Sequence, residues 1–161
     1  MKNFFPFAFL LCLSGLISCT ENEKPVSPLV GTWENRVFID SLDVWFVETM
    51  EFKNDSIFDL NITVRQSETG PDLGYRFMTT AWYSLGKNEL TYYYSNCSWL
   101  NFGGNKIYAA QKDLVNGVVD FFQRPKVQFL LSPSRKSFIL PQGCLALFSV
   151  CGPNREFIRV N

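Results

Sequence analysis

The chain has 161 residues, 15 basic and 15 acidic side chains, and no histidine. Balanced charge without a basic run gives no footprint for nucleic acid. The absence of histidine removes imidazole acid–base chemistry, Ser-His-Asp triads and the commonest metal ligand together.

Lys2 is the only charge before Glu21, and from Phe4 to Ile17 the chain is almost wholly apolar, broken by Pro6, Ser14 and Gly15. The run is well short of the roughly 20 residues a spanning helix needs, so it reads as an export signal. It ends Leu16-Ile17-Ser18-Cys19, which resembles the lipobox of bacterial lipoproteins: aliphatic, variable, small, then cysteine. The resemblance implies cleavage after residue 18, diacylation of the Cys19 sulfur and acylation of its new amino group. At about 0.8 kcal/mol per buried methylene, two or three acyl chains hold a protein stably where one binds marginally. The expected domains are a signal peptide over 1–18, a lipidated tether over 19–28 and a folded domain over 29–161. The expected partner is the membrane, through acyl chains on Cys19, and the expected place is the bacterial cell envelope at the outer membrane.

Residues 20–28, polar with Pro25 and Pro28, read as a short extended tether. Glu21 and Glu23 resemble the surface-export signals of Bacteroidetes lipoproteins, and solvation of a linker explains them equally well.

The rest alternates with a strand period. Phe58, Leu60, Ile62 and Val64 face one way, against Asp59, Asn61, Thr63 and Arg65, and 53–56 (KNDS) makes a hairpin turn before them. The same reading predicts strands over 30–39, 44–53, 56–66, 75–84, 89–96, 106–111, 118–123, 126–131, 136–140, 145–150 and 156–160. The only helix candidate is 109–117, with Gly117 placed to end it. Many short strands between Gly, Pro and Asn turns indicate an all-β antiparallel sandwich or barrel.

Cys97, Cys144 and Cys151 remain for this domain, and an exported compartment permits disulfides. A continuous strand over 145–150 would hold the ends of that segment about 23 Å apart, whereas bridged α-carbons lie within about 7 Å. Cys97 with Cys144 or Cys151 is then the pairing allowed, and three buried thiols is the alternative. No Cys-x-x-Cys pair suggests a metal site, and neither metal nor cofactor is expected.

Directly after the tether, Gly31-Thr32-Trp33 opens the first strand. This Gly-x-Trp resembles the signature of lipocalins and their bacterial lipocalin-like relatives, and the strand–turn–strand rhythm of 49–62 and 82–94 is similar to theirs. The resemblance implies a single up-and-down β-barrel of about eight to ten strands with little helix. In that family Gly31 would allow tight backbone entry, Trp33 would plug the closed end, and a late arginine, Arg159 or Arg155, would stack across it. The second Thr-Asp-Tyr type motif and the long helix of animal lipocalins are missing from this chain.

Trp82, Tyr83, Tyr92, Tyr93, Tyr94 and Trp99 form the densest aromatic cluster. Leu90, Tyr92 and Tyr94 share one strand face while Tyr93 looks the other way. With Trp82, the first set would line a cavity suited to an amphipathic molecule or a sugar; cross-strand aromatic packing is the alternative. Carboxylates such as Glu48, Asp59, Glu89 and Asp113 are scattered, and no local pair suggests glycoside hydrolysis. Asp40-Ser41-Leu42 and Asp55-Ser56-Ile57 resemble O-glycosylation sites of Bacteroidetes periplasmic proteins, and two turns explain them as well. The reading that follows is a non-enzymatic lipoprotein binding a small apolar or amphipathic ligand. The alternative is a protein–protein interaction module, an inhibitor or accessory subunit, with a filled barrel.

Overall fold

A computed structural model describes residues 26–101, 103–118, 126–141, 144–145, 150–151 and 154–160. The expected signal peptide, Cys19 and most of the tether lie outside these residues, as does most of the expected strand over 118–123.

Five strands succeed one another as antiparallel neighbours: β1 (Gly31–Ile39), β2 (Val44–Phe52), β3 (Ile57–Arg65), β4 (Asp72–Leu85) and β5 (Glu89–Trp99). The turns follow from local chemistry. Between β1 and β2 the chain makes a single 3-10 turn, Asp40–Leu42, and reverses through Asp43 at φ 53°, a left-handed conformation that Asp tolerates better than most residues. Between β2 and β3, the Asn54 side-chain oxygen accepts from the amides of Ser56 and Ile57, at 2.9 Å each, an Asx turn. The alternation on β3 places Phe58, Leu60 and Val64 inside, and Thr63 is buried as well, because a register shift follows Ile62.

The remaining strands are β6 (Val115–Gly117), β7 (Lys126–Gln128), β8 (Leu130–Leu131), β9 (Ser137–Leu140), β10 (Cys144–Leu145), β11 (Val150–Cys151) and β12 (Arg155–Arg159). The main sheet is ten-stranded, in the order β6-β5-β4-β3-β2-β1-β12-β9-β8, with β7 also on β5. The fold is therefore all-β and antiparallel, with little helix, but the sheet is not closed into a barrel by a continuous ladder. Its two margins are linked by one short stretch of chain: β7 pairs with β5, β8 pairs with β9, and only Phe129 lies between them.

Three sequence expectations are corrected. The helix over 109–117 does not form; one 3-10 turn, Gln111–Asp113, leads into β6. Gly117 instead makes room for the Trp99 ring, into which a Cβ at this position would collide, so its lack of a side chain serves packing rather than helix termination. Residues 106–111 are not a strand but touch the sheet through one bridge, Tyr75 with Ala109. Residues 145–150 do not form one continuous strand: β10 pairs antiparallel with β11, and the backbones of Cys144 and Cys151 are register partners.

The core collects Leu29, Trp33, Met50, Phe52, Phe58, Leu60, Ala81, Tyr83, Leu90, Phe129, Phe138, Leu140 and Phe157. Each large apolar side chain contributes about 1.5–3 kcal/mol on burial. Its rings interlock: Phe138 stacks on Phe157 at 4.8 Å and meets Trp33 edge-on at 4.9 Å.

Candidate functional site

One end of the sheet is sealed. Gly31 enters β1 at φ 123°, a conformation other residues rarely adopt. Trp33 is fully buried, and its indole N–H donates to the Leu29 carbonyl at 2.7 Å. The Arg159 guanidinium lies 4.2 Å from the Trp33 ring centroid. It donates to the carbonyls of Val30 (2.8 Å), Pro28 (2.6 Å) and Arg135 (3.3 Å). The ring is thus capped by a cation whose hydrogen bonds tie the end of the tether to β12. Arg155 does not take this place.

Beyond this floor, inward positions change character. On β2, Met50 and Phe52 are buried core residues, and Glu48 continues the same face. Its carboxylate accepts from Arg155 Nη1 at 2.8 and 3.0 Å. Glu48 is one-seventh exposed by side chain (14%), and burial pushes its pKa up more strongly than Arg155 pulls it down. Arg155 Nε is buried and has no hydrogen-bond partner among the described residues.

Next to the pair stand half-buried rings from β4 and β5. Tyr94 contacts Phe77 (5.9 Å) and Tyr92 (5.5 Å), and Tyr92 contacts Phe58 (6.1 Å). Burial drives the pKa of the Tyr94 hydroxyl upward, with Tyr92 adding to the shift, so this phenol stays a neutral donor and acceptor at ordinary pH. A carboxylate, a guanidinium whose Nε has no partner among the described residues, and two partly buried phenols therefore sit at the margin of the apolar core.

The predicted ligand-lining set divides. Tyr92 and Tyr94 flank this interior. Leu90 is completely buried in the core and is packing. Trp82 is on the opposite face of the sheet, 43% exposed and stacked on Tyr93, because its register partner on β5 is Tyr93. Glu48 and Arg155 form an ion pair on the inner face that composition hides among scattered charges. Their signal is a phase: each falls on the apolar face of its strand, in Phe46-x-Glu48-x-Met50 and Arg155-x-Phe157-x-Arg159.

Cys97 is a buried free thiol, its sulfur 3.5 Å from Thr79 Oγ1. The side chains of Cys144 and Cys151 lie outside the described residues, yet the strand premise that kept those two apart does not hold. Ser41 and Ser56 are both exposed. Among the described residues no cluster of three or more His, Cys, Asp or Glu could hold a metal ion, and no helix is long and apolar enough to cross a membrane. The chain matches no protein-family model, no curated protein and no solved structure.

Proposed function

We propose that this protein is a lipid-anchored, lipocalin-like binding protein of the bacterial envelope. It would take a small amphipathic molecule into the interior between the Trp33 floor and the Glu48–Arg155 pair. Residues 126–131 would complete the barrel by bridging its margins. The observation that carries the reading is the unused Arg155 Nε beside half-buried Tyr92 and Tyr94. An unmet buried donor favours a ligand head that can accept a hydrogen bond, and the rings favour an apolar tail.

The probe is 1-anilinonaphthalene-8-sulfonate, which joins apolar rings to an anionic head. Added to the mature protein, it is expected to brighten with one-to-one stoichiometry and to be displaced by dodecanoate. Absence of displaceable binding would shift the reading to a protein-interaction module. That reading draws on apolar side chains exposed around one end of the sheet, Val37, Phe38, Leu42 and Leu73. The anchor is tested separately. Cys19→Ala is expected to abolish palmitate labelling and release the protein from membranes, and unlabelled protein that stays membrane-bound contradicts the anchor.

A further inference from the structure

The outer face of β4 and β5 carries a feature the interior reading does not use. Trp82 and Tyr93 are respectively 43% and 37% exposed, yet their rings lie nearly parallel, 14° apart, with centroids at 6.5 Å. Two large stacked rings, each partly exposed, present apolar surface to water, and cross-strand pairing holds them together. The next outward position on β4 is Thr80, about 7 Å along the strand.

Thr80 belongs to a groove of about 320 Å³ lined also by Asp59, Asn61, Asn96, Ser98 and Gln111. The lining is mostly hydroxyl and amide, with Met78 its one apolar side chain. Its one carboxylate, Asp59, accepts from Thr80 Oγ1 at 2.7 Å and is ion-paired with Lys53, so the groove carries no unbalanced charge. That chemistry discriminates between occupants. A nucleic acid or charged peptide needs opposite charge, and a protein hot spot needs a deep apolar pocket. A neutral ligand with hydroxyls at its edges and an apolar C–H face suits both parts at once. That ligand is a carbohydrate.

We propose that this outer face is a glycan-binding surface. Trp82 and Tyr93 stack against one sugar ring, and the Asn61–Thr80–Asn96–Ser98 groove receives the hydroxyls of the next. The surface lies across the sheet from Glu48 and Arg155, so it stands or falls independently of the interior reading.

The test is native gel electrophoresis of the mature protein in gels containing soluble starch, xylan, galactomannan or mixed-linkage β-glucan. It is followed by a tryptophan-fluorescence titration with the hexasaccharide of any polymer that retards migration. At least one polymer is expected to retard the protein, and its hexasaccharide to shift the emission. Trp82→Ala and Tyr93→Ala are each expected to weaken binding about ten-fold or more, while the lost cross-strand pair lowers the melting temperature by no more than a few degrees. Glu48→Met with Arg155→Met should bind glycan as the native chain does. Free migration in all four gels overturns the proposal, and so does retardation that survives Trp82→Ala and Tyr93→Ala.

Discussion

Arg155 and Arg159 sit four residues apart on β12, on the same inward face, and do opposite things. Arg159 is engaged through all three nitrogens: its guanidinium covers Trp33 and donates to three backbone carbonyls. Arg155 holds one carboxylate, stands 6.0 Å from the Phe157 ring and has no partner for Nε among the described residues. A guanidinium whose three nitrogens each donate to a backbone carbonyl of its own chain builds structure. One with a buried donor to spare is available to something else. Within one short strand, the sheet passes from the floor to the end proposed above to hold a ligand head.

The comparison breaks first at the floor. Trp33→Ala is expected to cost about 3–5 kcal/mol, as for buried aromatics generally, read by chemical denaturation; an unchanged curve would mean that the ring is no plug. Arg159→Ala is expected to cost about 2 kcal/mol through its lost cation–π contact and hydrogen bonds. At the other end, replacing Glu48 and Arg155 together by methionine should leave stability within about 1 kcal/mol, since a buried ion pair exchanged for apolar residues of similar size is close to neutral. A loss as large as that of Trp33→Ala would make the pair structural and remove the contrast.

A gentler probe uses pH. Glu34 is buried on the other face of β1, bonded to Arg36 (2.6 Å) and Arg65 (2.8 Å). Burial raises its pKa, but the hydrogen bonds from Arg65 and Arg36 outweigh that and hold it below the usual range. The folded state therefore binds this proton less tightly than the unfolded state. Glu34 contributes stability above the ordinary carboxylate range and loses it as pH falls through its folded value. Glu48 has the opposite sign: its raised pKa makes folding gain stability as pH falls through the folded value. Denaturation between pH 3 and 7 should show Glu34→Gln flattening the acid loss and Glu48→Gln steepening it. The same direction for both would contradict the assignment of the two sites.

Sequence legibility follows the same division. Strands β1 to β5 are readable because one face meets the core and the other meets water, which writes a two-residue period into the chain. The Gly31–Trp33 opening is readable because it is local. Residues 109–117 misled because helix-compatible composition competes with a β edge that only Trp99, distant in sequence, reveals. Residues 145–150 misled because a mostly apolar run does not show that its two ends pair with each other. Trp82 was assigned to the wrong face because its side follows from register against Tyr93, and a bulge beside Thr80 shifts that register. The Glu48–Arg155 pair joins residues 107 apart in sequence, a distance no local pattern spans.

The measurement closest to the central claim is native mass spectrometry of two proteins incubated with bacterial envelope extract: the mature chain, and the same chain with Glu48→Met and Arg155→Met. The account predicts a reproducible added mass of a small amphiphile on the first and its loss from the second, both being folded. Bare masses for both, or the same adduct on both, would contradict the assignment of Arg155 as the receptor for a ligand head.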